Sequence, residues 1–431
     1  MKKEEINNIL QIKESYEMPS RLMEILNNKV CRENIFDKFM EFDLDMDSDW
    51  FTEYYQQEHS DRKEMKQDFT PSCIYKIFTQ YVEDFNSCAD ICAGTGGLTI
   101  SMWSKNKESY YYCEELSSRA IPLLLFNLAI RNVEGQIIHG DSLNEKIEKV
   151  YTLQRGDKYS EILTDKPKTN MKFDYVVTNP PYSLKWDRDK HINDNRFIDF
   201  GIPPSSKADY AFVLHGFSKL KDSGTLLAIL PHGVLFRGSY EETIRKNLIF
   251  QNNVNSIVGL PDKLFIDTQI PTCILELNKK RNQKDVLFID ASKQFVKKDG
   301  KQNTMQEEHI RNVVNTLKKR ISLDKFSNLV QLPQLEKNNY NLNIPRYVDT
   351  FEQEPVPDLL ETLKEIEEID KEIFDCELIL FNMMKTLVGT DKDSKCEVEN
   401  AIEKYGYYIN NKQKRQVPKK TGIIEGQLSL F

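Results

Sequence analysis

The residues of this chain that could do chemistry together are Asn179, Pro180, Pro181 and Tyr182, which follow an apolar run. The exocyclic amine of a nucleobase is a poor nucleophile, because its lone pair is delocalised into the ring. Two hydrogen-bond acceptors aimed at that amine favour its reactive form, and the Asn179 side-chain oxygen and the Pro180 carbonyl could supply them. The paired prolines stiffen the backbone. Tyr182 could stack on a base swung out of a duplex.

The same tetrapeptide could instead be an ordinary turn, because asparagine and proline are common turn formers. The run before it, Phe173 to Thr178, is rich in aromatic and β-branched residues and predicts a buried strand. In an open α/β sheet the loop after such a strand is where ligands bind. The tetrapeptide alone leaves both interpretations open, so the surrounding elements must decide between them.

A glycine-rich turn lies earlier in the chain. Residues 87–92 predict a strand, Ala93 to Gly97 a tight turn and the residues after them a helix. Glycine lets the backbone bend sharply and lets a ligand approach closely. The next predicted strand ends at Glu114, where a carboxylate usually binds a ribose. A nicotinamide dinucleotide is a rival ligand, although the Gly-x-Gly-x-x-Gly spacing of its binding turn is incomplete here.

Strands and helices alternate along the chain to Ile289. A third strand ends at Asp141, whereas residues 144–172 are polar and predict a helix and an exposed loop. The loop 183–206 is long and charged, and its Lys185, Trp186, Arg188 and Lys190 could face DNA or could simply form a solvated surface. The last two strands, residues 272–277 and 286–289, predict a hairpin at the sheet edge. We therefore predict an α/β fold with a doubly wound, mostly parallel seven-stranded sheet and one antiparallel edge strand.

The pattern divides the 431 residues into four regions. Residues 1–60 predict a small helical region, and residues 61–350 carry the α/β domain with the motifs above. Residues 351–390 predict a long amphipathic helix, which could pack on its own domain or on a partner helix. Residues 391–431 form a tail with a basic stretch.

The composition is that of a soluble globular protein, with 29% charged and 39% hydrophobic residues. No apolar run is long enough to span a membrane, and the N-terminus does not resemble a signal peptide, so we expect a cytoplasmic protein. The eight cysteines are scattered and no histidines cluster near them, which favours reduced thiols and no metal site. A net charge of −8 argues against a chain that coats nucleic acid unaided. An acidic chain can still bind DNA if a basic partner protein supplies part of the positive charge that contacts the phosphates.

Taken in this order, the motifs resemble those of the modification (M) subunits of type I restriction–modification systems. These proteins are N6-adenine DNA methyltransferases of the gamma motif order, and the likeness covers most of residues 60–350. The resemblance implies the class I S-adenosyl-L-methionine-dependent methyltransferase fold, with Asn179, Pro180, Pro181 and Tyr182 as the catalytic loop. It also implies that the cofactor S-adenosyl-L-methionine is bound by Gln67, Asp68, Phe69, Thr70, Pro71, Ser72, Asp90, Ala93, Gly94, Thr95, Gly96, Glu114, Asp141 and Ser142.

The resemblance implies partners as well. The substrate would be double-stranded DNA, and a specificity (S) subunit, docked on the helical C-terminal region, would choose the site. A restriction (R) subunit would join the complex in a complete restriction system. The final residues, Gln427 to Phe431, resemble the tail peptide by which bacterial replication and repair proteins bind the DNA polymerase sliding clamp.

Two other functional interpretations stay open beside this one. The chain could be a self-sufficient orphan DNA methyltransferase, or a non-catalytic scaffold that binds an adenosyl compound. Related catalytic loops also serve protein-glutamine methylation, but the long loop after Tyr182 and the M-subunit likeness argue against that substrate.

Overall fold

The computed structural model describes residues 3–51, 70–168, 170–265, 270–298, 302–350 and 358–415. The chain divides into two compact units, residues 1–351 and 352–431. The first unit begins with three helices: α1 (Lys3–Leu10), α2 (Met18–Leu26) and α3 (Lys29–Met40). Buried residues at spacings of three and four, such as Leu22, Ile25 and Leu26, show that α2 turns one face to the core.

Strands and helices then alternate. In chain order the elements are α4 (Ser72–Tyr81), β1 (Ser87–Asp90), α5 (Gly97–Lys105), β2 (Tyr110–Glu115), α6 (Ile121–Ile130), β3 (Glu134–Asp141), β4 (Lys146–Gln154), β5 (Glu161–Thr164), β6 (Phe173–Thr178), α7 (Asp209–Ser218), β7 (Leu220–Pro231), α8 (Tyr240–Phe250), β8 (Val254–Gly259), β9 (Thr272–Asn278), β10 (Asp285–Asp290), β11 (Val296–Lys298), β12 (Gln302–Thr304), α9 (Glu307–Lys319), β13 (Ser327–Gln331) and α10 (Leu332–Lys337). Short 3-10 helices span Arg188–His191 and His232–Leu235.

Eleven of these strands form one sheet in the order β13-β10-β8-β9-β7-β6-β1-β2-β3-β4-β5. Strands β3, β2, β1, β6 and β7 are parallel to one another, and β8 is parallel to β10. Strand β9 runs antiparallel to both β7 and β8. The predicted α/β class with a largely parallel central sheet is therefore confirmed, although the sheet has eleven strands instead of seven.

The predicted edge hairpin is wrong. Strand β9 lies inside the sheet between β7 and β8, whereas β10 pairs with β8 and β13. The reason is burial, since six of the seven β9 residues are buried. At an edge, a strand that is apolar on both faces would leave one side of its backbone unpaired.

The polar segment predicted as a helix and a loop is also different. It contains β4 and β5, which extend the sheet beyond β3. Only three residues of β4 are buried, Val150, Tyr151 and Leu153, and no residue of β5 is. The edge strand β5 and its neighbour β4 bury so little surface that they leave a weak pattern in the sequence.

Helices cover both faces of the central sheet. One apolar core joins residues of α4, α5, α6 and α9 with the three N-terminal helices. The core on the other side is built around α7 and α8. Because strand residues alternate between the faces, Cys88 of β1 belongs to the first core and Ala89 to the second. This layering leaves the loops at the carboxyl ends of the parallel strands open along one edge.

Within the described residues, the second unit contains α11 (Leu359–Met384) and α12 (Lys392–Arg415). The two helices contact each other through the rings of Phe381 and Tyr405, 6.1 Å apart, and through an ion pair between Lys412 and Glu377 at 2.7 Å. The region predicted as a tail thus contains a helix, and Gln427 to Phe431 lie outside the described residues. None of the helices in the described ranges is both long enough and apolar enough to span a membrane.

Candidate active site

Four neighbouring strands, β6, β1, β2 and β3, end at the same edge of the sheet and surround a cavity of about 420 Å³. The cavity is lined by the glycine turn after β1, the end of β2, residues 141–144 after β3 and the tetrapeptide after β6. Its volume lies in the range typical of cofactor and ligand sites. The two motifs singled out in the sequence therefore open onto one cavity.

The glycine turn is hydrogen-bonded to Asp49, a residue of the N-terminal region. Gly94 and Gly96 have φ angles of 55° and 99°, the left-handed conformation that glycine adopts most easily. The hydroxyl of Thr95 donates to the carboxylate of Asp49, and Asn127 Nδ2 donates to the same carboxylate at 2.7 Å. Asn127 also donates to the Thr95 carbonyl at 2.8 Å. Asp49 thus fixes the shape of a turn 46 residues away.

Strand β2 ends with two adjacent carboxylates, Glu114 and Glu115, whose side chains point to opposite faces of the sheet. Glu114 accepts hydrogen bonds from His215 Nε2 and Lys219 Nζ, both at 2.8 Å. Burial by itself raises the pKa of Glu114, but His215 and Lys219 outweigh burial and hold that pKa well below its usual range. The Glu114 oxygens are thus already bonded to protein groups.

Glu115 has different surroundings. Its carboxylate accepts from the backbone N–H groups of Gly94 at 2.7 Å and Ser117 at 2.6 Å. Burial raises the pKa of Glu115, and these two backbone groups oppose the rise. Glu115 therefore joins the glycine turn to the end of β2, directly at the cavity.

The tetrapeptide is in contact with the loop that precedes α4. Asn179 Nδ2 donates to Thr70 Oγ1 at 3.0 Å, and the Tyr182 hydroxyl donates to Asn179 Oδ1 at 2.8 Å. Tyr182 is buried, and its ring meets Phe265 edge-on with 6.1 Å between centroids. Because Thr70 can accept the amide N–H, the bond orients the Asn179 side chain.

The predicted site residues fall into three groups. Those that line the cavity are Thr70, Ala93, Gly94, Thr95, Glu114, Asp141, Ser142, Asn179 and Pro181. Those that are described but do not line it are Pro71, Ser72, Asp90, Gly96, Pro180 and Tyr182. Gln67, Asp68 and Phe69 lie outside the described residues.

Asp90 lies beneath the glycine turn. It is buried and accepts from the hydroxyl of Thr99 at 3.0 Å and the N–H of Cys92 at 3.3 Å. Burial raises the pKa of Asp90 to about 7. The position of Asp90 is that of a residue that supports the glycine turn.

Several cavity residues were missed by sequence reasoning, namely Tyr75, Glu115, Leu184 and Phe212. Glu115 directly follows the predicted Glu114, so strand alternation could have raised it as a candidate. Trp186, expected to face DNA, lines the cavity and donates from Nε1 to the Pro204 carbonyl at 2.9 Å. Tyr75 and Phe212 lie within helical patterns that carry no sign of a ligand site.

Within the described ranges the cysteines form no disulfide, and no three metal-ligating side chains cluster.

Residues 47–355 match the family model of the N-6 DNA methylases. The chain belongs to this family. It is similar to the type I restriction enzyme MpnII methylase subunit of Mycoplasma pneumoniae, with 32% identity over 78% of this chain and 59% of the relative. A second relative is the MjaVII methylase subunit of Methanocaldococcus jannaschii, with 29% identity over 82% of this chain and 62% of the relative. This N-6 DNA methylase thus spans about three fifths of the length of these curated relatives.

A solved structure is similar as well. It is the type I restriction–modification system methyltransferase subunit from Streptococcus thermophilus, with a TM-score of 0.59 and 36% identity. The match covers 65% of this chain and 59% of that one. The region matched by the N-6 DNA methylase model includes every described residue at the cavity and ends before α11.

Proposed function

We propose that this chain is the modification subunit of a type I restriction–modification system and transfers a methyl group from S-adenosyl-L-methionine to the N6 amine of adenine in DNA. The observation that carries the proposal is the shared cavity, onto which Asn179 and the glycine turn both open. Membership of the N-6 DNA methylase family supports the reaction class. A cytoplasmic location, beside the DNA substrate, belongs to the same proposal.

The residues around the cavity fit the cofactor. A side chain at Gly94 would enter open space, which leaves room for a ligand against the backbone there. We assign the ribose hydroxyls to Glu115. Glu114, the residue first predicted, already accepts from three side chains, those of Tyr112, His215 and Lys219, whereas Glu115 accepts from the two backbone N–H groups of Gly94 and Ser117 and a carboxylate offers about four acceptor positions. Asp141 would lie near the adenine of the cofactor. When bound, S-adenosyl-L-methionine supplies a methyl group activated by a positively charged sulfur.

The tetrapeptide would prepare the amine for attack. Asn179 Oδ1 and the Pro180 carbonyl would accept from the two N6–H groups, which favours the pyramidal nitrogen with an available lone pair. Thr70 supports this role by holding Asn179 Nδ2, so that Oδ1 is the atom presented to the amine. Tyr182 would stack on the flipped base. No base is needed before attack, since the methylated nitrogen loses its proton readily.

Sequence choice would come from a specificity subunit. Helix α11 exposes apolar side chains at spacings of three and four, among them Leu359, Leu363, Ile366, Ile369 and Ile373. Such a stripe fits an apolar partner helix. We propose that the specificity subunit covers it, and that a restriction subunit joins only in complexes that cleave DNA.

Mass spectrometry of N6-methyladenine tests the proposal. The chain is expressed in methylation-deficient cells with and without its specificity subunit, and we expect the modified base only when both are present. Methylation of one DNA motif by the chain alone would favour the orphan enzyme. A chain that binds S-adenosyl-L-methionine but leaves no N6-methyladenine with either arrangement would be a scaffold, and the proposed reaction would be wrong.

A further inference from the structure

The residue after the tetrapeptide, Ser183, has an unusual backbone conformation. Its φ of 53° is left-handed, which costs a residue with a side chain about 1 kcal/mol or more unless its surroundings enforce it. The N–H of Ser183 donates to Asp209 Oδ1 at 2.7 Å. Asp209 is the first residue of α7 and is fully buried. The backbone directly after the tetrapeptide is thus hydrogen-bonded to the buried carboxylate of Asp209.

Asp209 is held in turn by Arg237, which precedes α8. Arg237 Nη1 donates to Asp209 Oδ2 and to Glu241 Oε1, both at 2.8 Å. The backbone of Arg237 is also fixed, since its N–H donates to the Gly233 carbonyl at 3.0 Å and its carbonyl accepts from Arg245 at 2.7 Å. A segment about fifty residues downstream therefore anchors the loop.

Gly233 provides the space in which the Arg237 guanidinium lies. A Cβ built on Gly233 would be 2.5 Å from Nε, 2.6 Å from Nη2 and 2.9 Å from Cζ of Arg237. Contacts this short are impossible, and the flexible end of the arginine is the group that would move. Any side chain at position 233 would therefore push the guanidinium off Asp209 without changing its charge.

A contribution to the free energy of folding does not explain well why Asp209, Arg237 and Glu241 lie together. Asp209 and Glu241 share one guanidinium, and Glu241 Oε2 is buried with no hydrogen-bond partner among the described residues. Burial raises the pKa of Glu241, and Arg237 opposes the rise. Buried ion pairs add little stability over apolar residues of similar volume. What the cluster does supply is a fixed position for the Asp209 carboxylate, and through it for Ser183.

We propose that Asp209 and Arg237 are positioning residues for methyl transfer, which hold Ser183 and thereby the Asn179–Tyr182 backbone in the reactive geometry. The inference rests on the proposed function. The pair touches neither the amine nor the cofactor cavity, so it would act through the loop. A displacement of about 1 Å at a reacting group can cost about 100-fold in rate. The rate of transfer should therefore depend on this pair more than the binding of either substrate does.

Three variants test the pair: Arg237→Met, Arg237→Lys and Gly233→Ala. In the assembled enzyme we expect kcat to fall about 10- to 100-fold for Arg237→Met, with KM for DNA and for S-adenosyl-L-methionine within about twofold. Arg237→Lys should restore part of kcat. Gly233→Ala should reproduce the loss, and it should add nothing in an Arg237→Met background, where the guanidinium it displaces is gone.

The matched control is Arg320→Met, which removes another partly buried arginine. Arg320 pairs with Asp285 and with Asn255 Oδ1, away from the tetrapeptide, and its side chain is 19% exposed against 21% for Arg237. We expect kcat of this control to stay within about twofold of the wild type. Thermal unfolding of all variants reports any general loss of stability.

Hydrogen exchange provides a readout independent of activity. The peptide containing Tyr182 to Lys185 should exchange about tenfold faster in Arg237→Met and Gly233→Ala than in Arg320→Met, because the Ser183 N–H loses its fixed acceptor. An active wild type whose Arg237→Met and Gly233→Ala variants keep wild-type kcat would overturn the inference. So would unchanged exchange in this peptide. An inactive wild type would instead count against the proposed function, and the exchange result would still decide the role of the pair.

Discussion

Replacing Tyr182 by Phe tests a competition visible in the tetrapeptide. The Tyr182 hydroxyl donates at 2.8 Å to Asn179 Oδ1, the atom that we propose accepts from the target amine. The hydroxyl occupies one of the two acceptor positions of this oxygen, so the target amine competes with it for Asn179. Phenylalanine keeps the ring for stacking and removes the competing donor, so we expect tighter binding of the target base.

The expected size follows from the bond that is lost. A hydrogen bond within a protein contributes about 0.5–1.5 kcal/mol net, so its removal should lower KM for DNA about two- to tenfold. Tyr182→Ala also removes the ring, whose stacking on a base is worth about 1–3 kcal/mol, and should raise KM for DNA. The two substitutions should therefore change KM in opposite directions.

Steady-state methyl transfer onto a duplex with one target site measures both variants, and 2-aminopurine at the target reports base flipping. Tyr16→Phe, at a side chain that is 72% exposed in the N-terminal region, is the matched control and should behave as the wild type. A Tyr182→Phe variant with a raised KM for DNA, similar to that of Tyr182→Ala, would refute the competition and show that the hydroxyl assists binding.

Three further predictions concern Asn179, Asp90 and the C-terminal residues. Asn179→Ala should lower kcat at least about 100-fold, because it removes an acceptor from the amine, while calorimetry shows unchanged cofactor affinity; an active variant would refute its role. Asp90 has a pKa raised from 3.8 to about 7 in the folded state, so its contribution to stability is complete below pH 3.8 and is lost as pH rises through about 7. Asp90→Asn should remove this decline from the free energy of unfolding, about 1.4 kcal/mol per unit of pKa difference, and an unchanged slope in denaturant titrations would contradict the burial argument. Deletion of Gln427 to Phe431 should abolish recovery of the sliding clamp in a pull-down, and equal recovery would exclude that partner.

The parts that sequence reasoning predicted correctly are those fixed by neighbours in the chain. The apolar run before Asn179, the glycines after β1 and the alternation of strands and helices depend on local backbone preferences and burial. These patterns gave the α/β class and placed both motifs after parallel strands. Because such strands end at one edge of a sheet, the two motifs lie at one cavity in the structure.

The placement of β9 shows where this reasoning fails. A short connection between two strands predicts a hairpin, but β9 pairs with β7 and β8, which precede it by about twenty to fifty residues. Pairing is decided by which position buries both faces of the strand, and that depends on the rest of the sheet.

By itself the sequence determined the two motifs on which the proposed reaction depends, since residue types and their order define the hydrogen-bond acceptors, the rigid loop and the glycine turn. Only the tertiary structure decided which side chains support them. It gave Glu114 and Glu115 different hydrogen-bond partners, and it brought together Asp49 and Thr95, Thr70 and Asn179, and Arg237 and Asp209. The physical reason is the sequence separation over which each effect acts. Backbone preferences act over a few neighbouring residues. Hydrogen bonds between distant segments form only after packing has fixed the distance between those segments.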